Sequence, residues 1–262
     1  MKVVACQFAI AWENPEANFD TVTRLLESTD VEPGSLIVLP EMFATGFSMN
    51  VARIANNPQV RPFLAETARR YQSWLVGGYV AQAPDGRGLN QALVYDPQGV
   101  EIGSYDKVHP FSYAGEDKVY AAGQSLQVVS VAGFKLCPLV CYDLRFPELF
   151  RAATVKGADL FVVIANWPEP RTAHWSTLLQ ARAIENQAFV VGVNRTGQDP
   201  KLSYAGHSCL ISPKGERLVE LGDAPGAAST DMDPADVSNW RQQFPALQDI
   251  RFPFQPPDRA VN

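Results

Sequence analysis

Residues 126–165 read LQVVSVAGFKLCPLVCYDLRFPELFRAATVKGADLFVVIA and contain two apolar runs on either side of a helical segment. The first run predicts two strands about an Ala-Gly turn, and the second of these strands ends at Cys141. Pro147 then opens a helix that Gly157 closes, and the run at 159–165 predicts a buried strand. Two strands joined by a crossover helix form a parallel pair, so this stretch indicates an α/β fold.

The segments before this stretch follow the same plan. Residues 2–10 predict a strand, and Asn14 followed by proline supplies the start of a helix that continues to about Thr29. A buried strand at 35–40 is followed directly by Glu41. The other elements predicted in this half are a helix at 58–71 and strands at 74–82, 90–96 and 100–105.

The segments after it repeat the plan a second time. A helix at 173–188 leads to a strand at 189–194 and to a hairpin made of YAGHSCLIS and GERLVEL. AASTDMD gives a last strand before a short helix. Two successive sets of strands and helices predict two sheets packed face to face with helices on both outer faces, which is a four-layer αββα sandwich. Because no Pro/Ser-rich linker divides the chain, we expect a single domain over 1–262, with an irregular proline-rich tail at 245–262.

The composition excludes several classes of partner. The 262 residues are 46% hydrophobic and 19% charged, which is typical of a domain with a sizeable core. The net charge is −6 and there is no basic run, so nucleic-acid binding is disfavoured. No apolar stretch approaches the roughly 20 residues that span a bilayer, so no membrane association is expected.

Four cysteines lie scattered along the chain, at Cys6, Cys137, Cys141 and Cys209. This distribution is typical of free thiols in a reducing compartment and not of a disulfide scaffold. The sequence therefore predicts a cytoplasmic protein.

Several familiar site signatures are absent from the sequence. It has no G-x-S-x-G elbow and no phosphate-binding loop, and Cys137 and Cys141 are four residues apart instead of the three of a C-x-x-C pair. The three histidines, His109, His174 and His207, are far apart, so no metal or other cofactor is expected. Papain-like Cys/His catalysis remains open, although the local sequence typical of it is missing.

Three polar or nucleophilic residues each lie just beyond the carboxyl end of a predicted strand, namely Glu41, Lys107 and Cys141. Open α/β sheets place reactive groups at this edge. Nearby helix amides and a lysine ammonium favour a thiolate at Cys141, and Glu41 is a candidate proton acceptor. Structural roles stay open as well, since an inert core thiol, a capping glutamate and a solvated lysine fit the same positions.

The local sequences VLPEMFATGF around Glu41, YDKVHPF around Lys107 and CYDLRFPE around Cys141 resemble the nitrilase superfamily of carbon-nitrogen hydrolases. They occur in the order typical of that family. Three further stretches extend the resemblance over nearly the whole chain: VVACQFAIAWENPEAN, ANWPEPRTAHWSTLLQARAIENQ and YAGHSCLISPKGE. These segments are most similar to the bacterial omega-amidases, which hydrolyse the side-chain amide of 2-oxo dicarboxylic acid monoamides.

The resemblance implies a catalytic triad of Glu41, Lys107 and Cys141 on an αββα sandwich that commonly forms homodimers. It also implies a second glutamate at Glu116. The alternative for Glu116 is a solvent-facing ion pair with Lys118.

One position departs from the family pattern. Pro110 follows His109 at a place where the family often has leucine. This difference concerns the shape of the loop and its effect on substrate preference, not the triad.

The implied mechanism needs no cofactor. Glu41 takes the Cys141 proton, the thiolate attacks the amide carbon, and Lys107 with the backbone N–H of Tyr142 holds the oxyanion. Glu41 then protonates the departing ammonia, and water hydrolyses the thioester.

An omega-amide also carries a carboxylate that must be neutralised in a closed pocket. The candidate partners are Arg145, Arg171 and Arg195, with Arg145 first because it lies four residues beyond the nucleophile. The alternative for Arg145 is an internal ion pair with Glu148 or Glu41.

Other functions remain open at this point. The same triad serves other small-amide hydrolases, N-carbamoyl amino-acid amidohydrolases and nitrilases. A non-catalytic binding protein on the same fold is a more remote alternative. The expected partners are a small-molecule amide and a second copy of the chain.

Overall fold

In a computed structural model, which describes residues 1–251, two six-stranded mixed sheets pack face to face. From edge to edge, the first sheet contains β14 (Gly226–Asp231), β1 (Lys2–Gln7), β2 (Leu36–Val38), β3 (Trp74–Gln82), β4 (Gly88–Tyr95) and β5 (Glu101–Asp106). The second contains β13 (Arg217–Glu220), β12 (Cys209–Ile211), β9 (Phe189–Asn194), β8 (Leu160–Ala165), β7 (Phe134–Val140) and β6 (Val129–Val131). Each sheet has three adjacent parallel strands, β1-β2-β3 and β7-β8-β9, so the carboxyl ends of these strands form a common edge.

Helices cover both outer faces of the paired sheets. They are α1 (Pro15–Glu27), α2 (Val51–Ile54), α3 (Val60–Tyr71), α4 (Pro147–Val155), α5 (Thr172–Asn186) and α6 (Pro234–Gln243). α1 begins where the sequence indicates, because the Asn14 side chain accepts a hydrogen bond from the amide of Ala17 at 3.2 Å. Helix α3 packs on β3, and α5 packs on β9. The predicted four-layer αββα sandwich is thereby confirmed.

Strand β1 shows why the sheets have two apolar faces. Val3 and Ala5 belong to the core between the sheets, whereas Val4 and Cys6 pack with the residues beneath α1 and α3. Successive side chains of a strand point to opposite faces. An apolar run with no polar alternation is therefore what a strand buried on both faces requires.

One predicted strand is wrong, because YAGHSCLIS does not form a single strand. The chain turns at Gly206 and His207, which have φ values of +67° and +57°. β11 (Ser203–Ala205) pairs with β10 (Thr196–Gln198) in a separate hairpin, and only Cys209–Ile211 joins the second sheet. Consecutive left-handed residues cannot continue a strand, so the hairpin projects away from the sheet.

The C-terminal tail is only partly covered by the structure. Residues Ala246–Asp249 form one turn of 3-10 helix, so the tail predicted as irregular over 245–262 contains an ordered turn. Residues 252–262 lie outside the described part, and the single-domain organisation over 1–262 stays a prediction. Within residues 1–251, no helix is both long enough and apolar enough to cross a membrane.

Candidate active site

Cys141 occupies a strained turn at the carboxyl end of β7. It directly follows Val140, has a φ of +47° and opens a 3-10 helix, Cys141–Arg145, that separates the strand from α4. A non-glycine residue in this region is costly and persists only where its surroundings impose it. The turn leaves Cys141 8% exposed, at the wall of a cavity.

Glu41 lies three residues beyond the carboxyl end of β2, in the first sheet, and is fully buried. Its Oε1 accepts hydrogen bonds from Lys107 Nζ at 3.0 Å and from Asn90 Nδ2 at 2.7 Å. Its Oε2 accepts one from the backbone amide of Asn166 at 2.7 Å. These donors fix the carboxylate from both sides, which holds it in one orientation.

Lys107 directly follows β5 and is also buried, at 1% exposure. Its Nζ lies 2.9 Å from Glu116 Oε2 and 3.0 Å from Glu41 Oε1. Glu116 is buried as well, so the alternative of an exposed ion pair with Lys118 is wrong. One ammonium between two carboxylates gives this cluster a formal charge of −1.

The protonation states follow from burial and from these neighbours. Burial and the charge of Glu41 raise the pKa of the Cys141 thiol well above its ordinary value, although Lys107 acts in the opposite direction. Burial alone lowers the pKa of Lys107, but Glu116 and Glu41 outweigh it and hold that pKa well above the ordinary lysine value. The resting site therefore has a neutral thiol beside an ammonium. The lysine favours a thiolate, as the sequence indicates, but desolvation exceeds the attraction of this single cation.

Cys141 and Lys107 face a cavity of about 300 Å³. Aromatic side chains form much of its wall, among them Trp12, Phe47, Phe111, Tyr142, Trp167 and Tyr204. Leu202 and Tyr204 come from the β10–β11 hairpin. The β10–β11 hairpin, which the sequence did not predict as a separate element, is therefore one wall of this pocket.

Two of the three candidate arginines line the cavity. Arg145 stacks over Trp167 at 4.8 Å from the ring centre, and its Nη2 lies 3.2 Å from Nδ1 of His174. Arg171 lies over the ring of Phe111 at 5.4 Å. In the part of the chain that the structure describes, neither guanidinium has an acidic side chain within 4.0 Å. The alternative ion pair of Arg145 with Glu148 or Glu41 is therefore wrong.

Arg195, the third candidate, lies inside the protein with no exposed surface. Its Nη2 donates to the carbonyl oxygens of Ile10 at 3.1 Å and Gln198 at 2.9 Å, and its Nε donates to Thr196 O. The guanidinium also stacks on Tyr204. These contacts tie the hairpin to the body of the protein, so the structure gives Arg195 a supporting place behind the pocket and not the carboxylate-binding place predicted.

Sequence reasoning missed two asparagines in this cluster. Asn90 Nδ2 bridges Glu41 and Glu116, at 2.7 and 2.9 Å, and Asn166 follows β8 at the same edge as Cys141. The strand-end rule that selected Cys141 also selects Asn166. Asn90 gives a weaker signal, since it lies within a strand beside a second amide, Gln91, and not at a strand end.

No group of three or more His, Cys, Asp or Glu side chains within residues 1–251 is arranged to hold a metal ion. Each of the four cysteines is buried and free. Burial raises the pKa of Cys6 and of Cys209 to about 12, which is typical of core thiols.

Comparison with known proteins agrees with this fold. Residues 2–242 match the family model described as carbon-nitrogen hydrolase. The chain is 40% identical to the omega-amidase YafV of Yersinia enterocolitica, over 95% of this chain and 96% of that protein. It is 34% identical to the 2-oxoglutaramate amidase of Bacillus subtilis, over 95% and 97%. A solved structure of a CN-hydrolase superfamily protein from Xanthomonas campestris, with an arsenic adduct in its active site, superposes with a TM-score of 0.91 at 33% identity, covering 98% of this chain and 99% of that one.

The chain belongs to the carbon-nitrogen hydrolase family, whose fold is that of the nitrilase superfamily. It is accordingly a hydrolase of carbon-nitrogen bonds other than peptide bonds, and its relatives include proteins named omega-amidase and 2-oxoglutaramate amidase.

Proposed function

We propose that this protein is an omega-amidase, which hydrolyses the side-chain amide of a 2-oxo dicarboxylic acid monoamide such as 2-oxoglutaramate or 2-oxosuccinamate. The observation that carries the proposal is one cavity with two kinds of group on its wall. Cys141 and Lys107 supply a nucleophile and a cation, and Arg145 and Arg171 supply guanidinium groups with no acidic partner within residues 1–251. Such a cavity suits a small molecule that has an amide at one end and an anion at the other.

The first half of the reaction uses the buried cluster. Glu41 takes the proton of the neutral Cys141 thiol as the sulfur attacks the amide carbon, because no resting thiolate is available. The oxyanion accepts hydrogen bonds from the Lys107 ammonium and from the backbone N–H of Tyr142, which lies in the first turn of a 3-10 helix, where amides lack intrahelical acceptors. Glu41 then gives the proton to the amide nitrogen, the C–N bond breaks, and ammonia leaves.

The second half regenerates the enzyme. Water attacks the thioester carbon while Glu41 takes a water proton. The C–S bond then breaks as Glu41 returns that proton to the sulfur, which releases the carboxylic acid and restores the thiol. Glu116 keeps the Lys107 ammonium in place through contacts at 2.9 and 3.1 Å, so we assign it a supporting role. Each proton and leaving group is handled by side chains of this chain.

At the other end of the substrate, Arg145 is the first candidate to bind the carboxylate. Its hydrogen bond to His174 has a neutral acceptor when the histidine is unprotonated, so the positive charge of Arg145 is not cancelled. Stacking on Trp167 holds the guanidinium plane against the cavity wall. A guanidinium held in this way can donate two parallel hydrogen bonds to a carboxylate. Arg171 is the second candidate.

We expect Arg145→Met to raise the KM for 2-oxoglutaramate about 10²-fold or more, because a charged group in a desolvated pocket loses its partner. The KM for an uncharged aliphatic amide of the same length should change less than about threefold. Steady-state ammonia release on both substrates measures this difference. Arg195→Met serves as the comparison, since its contacts predict a stability loss without substrate discrimination. Equal losses on the two substrates in Arg145→Met would contradict a carboxylate contact.

The test of the proposed function is an ammonia-release panel. It compares 2-oxoglutaramate and 2-oxosuccinamate with glutamine, asparagine, an N-carbamoyl amino acid and a simple nitrile. The proposal expects the two 2-oxo acid amides to have the highest kcat/KM. A preference for the N-carbamoyl amino acid, with carbon dioxide released beside ammonia, would indicate the alternative amidohydrolase. No turnover and no acyl adduct on Cys141 with any compound would indicate a binding protein.

We also propose a homodimer in the cytoplasm. Val155 of α4 and Ile184 of α5 are 69% and 53% exposed, and these two helices pack against each other, so we take this face as the contact between the two copies. Four free, buried thiols support a reducing compartment. Sedimentation velocity tests the dimer, and a single species at the monomer mass across micromolar concentrations would contradict it.

A further inference from the structure

Cys141 and Lys107 directly follow strands of different sheets, so their relative position depends on how the two sheets pack against each other. Cys141 also sits at a φ of +47°, a conformation that relaxes unless neighbouring groups hold it. Asp143, two residues beyond the cysteine, is fully buried and contacts both segments.

One carboxylate oxygen of Asp143 contacts the backbone at the Cys141 turn. Its Oδ2 accepts a hydrogen bond from the backbone amide of Val140 at 3.1 Å, so the carboxylate folds back across Cys141. The same oxygen accepts the hydroxyl of Tyr105 at 2.8 Å. Tyr105 lies two residues before Lys107.

The other carboxylate oxygen of Asp143 contacts the segment that follows Lys107. Asp143 Oδ1 accepts from the backbone amide and from Nδ1 of His109, both at 3.0 Å. The His109 ring stacks on Phe146 with 3.6 Å between ring centres. His109 lies two residues after Lys107, so a single carboxylate contacts the chain on both sides of the lysine.

The surroundings of Asp143 are those of a carboxylate that holds the backbone in place and not of a group that takes part in the reaction. In the described residues no lysine or arginine nitrogen lies within 4.0 Å of its oxygens, and His109 is the one basic side chain that contacts it. Four hydrogen bonds therefore stabilise a buried carboxylate, and each is stronger than a neutral one. Asp143 does not line the reaction cavity, so it does not touch the substrate.

We propose that Asp143 is a positioning residue, which fixes the Cys141 turn relative to the Lys107 ammonium through Tyr105 and His109. This inference rests on the proposed roles of Cys141 and Lys107. Reacting groups must be held to within a fraction of an ångström, and a displacement of about 1 Å costs on the order of 10² in rate. Loss of these contacts should thus lower kcat without weakening substrate binding.

The test is Asp143→Asn, which keeps the shape of the side chain but replaces one acceptor oxygen with a donor. We expect kcat for 2-oxoglutaramate to fall about 10²-fold while KM changes less than about threefold. The matched control is Asp159→Asn, since Asp159 also accepts a backbone amide hydrogen bond, from Lys135 at 2.7 Å, at a strand end away from the cavity. That variant should lose stability with no change in kcat. A kcat for Asp143→Asn within threefold of wild type, or a loss carried by KM alone, would overturn the inference.

A second measurement keeps this test independent of the substrate. The rate of Cys141 alkylation by iodoacetamide, followed by mass spectrometry, should be about tenfold slower in Asp143→Asn than in wild type and unchanged in Asp159→Asn. An unchanged alkylation rate in Asp143→Asn overturns the inference even where the wild-type protein hydrolyses no omega-amide.

If Asp143→Asn does not fold, Tyr105→Phe removes one donor only. It should lower kcat about tenfold at constant KM, and an unaltered kcat would overturn the inference.

Discussion

Cys141→Ala is expected to abolish ammonia release, with kcat reduced by about 10⁴-fold or more, because no other group on the cavity wall can form the thioester. Cys141→Ser should be almost as inactive, since a hydroxyl is a far weaker nucleophile than a thiol beside the same base. The fold should persist in both variants, because the cysteine contributes little buried volume and both replacements are no larger. Steady-state kinetics and thermal unfolding measure the two effects.

The matched control for this experiment is Cys209→Ala. Cys209 is a buried core thiol in β12, so its replacement removes a similar volume from the interior without touching the cavity. We expect a modest loss of stability and a normal kcat. Substantial ammonia release by Cys141→Ala, above the level from trace wild-type protein, would exclude a thioester mechanism.

Lys107→Met should have the largest combined effect on activity and stability. The ammonium lies between Glu41 and Glu116, and its removal leaves two buried carboxylates facing each other. Breaking a buried ion pair from one side typically costs about 3–5 kcal/mol. Loss of the oxyanion donor adds a reduction in kcat of about 10²–10³-fold. Urea unfolding and kinetics on the same preparation measure both.

The stability loss in Lys107→Met should depend on pH in a defined direction. Without the cation, burial and mutual repulsion raise the pKa values of the two carboxyl groups in that variant above their unfolded values. The folded variant then binds more protons than the unfolded chain, so its free energy of unfolding increases as the pH falls. The difference from wild type should therefore be smaller at pH 5.5 than at pH 8. A difference that is independent of pH would show that the lysine acts by packing alone.

One further variant separates the effect of charge from that of shape at Lys107. Lys107→Arg keeps the charge but should not restore activity, because a planar guanidinium cannot reproduce a compact ammonium that touches two carboxylates. The comparison variant is Lys135→Met, since Lys135 is an exposed lysine whose Nζ contacts only Ser130 Oγ, at 2.9 Å. It should leave both stability and kcat within experimental error of wild type. A fully active Lys107→Arg would make the lysine a structural residue.

Local patterns determined the elements of this fold. The runs at 3–6, 160–165 and 189–193, which form most of β1, β8 and β9, contain no polar side chain, which is the requirement for strands covered on both faces. Asn14 and Pro147 mark helix starts because capping and first-turn geometry depend only on neighbouring residues. The strand-end positions of Glu41, Lys107 and Cys141 are likewise local facts, and parallel strands align such ends at one edge.

The tertiary structure decided how each polar side chain is used. Glu116 is buried against Lys107 and not exposed beside Lys118, and Arg195 supports the hairpin although its sequence position matches that of a substrate ligand. The nearest charged neighbour along the chain does not determine the partner, because burial depends on elements that meet only when the two sheets pack. Desolvation likewise depends on packing, because burial raises the pKa of the Cys141 thiol despite the adjacent ammonium. The positions of the candidate site residues could therefore be predicted from the sequence, whereas their protonation states and supporting contacts depend on the packed sandwich, which sets distances and solvent access.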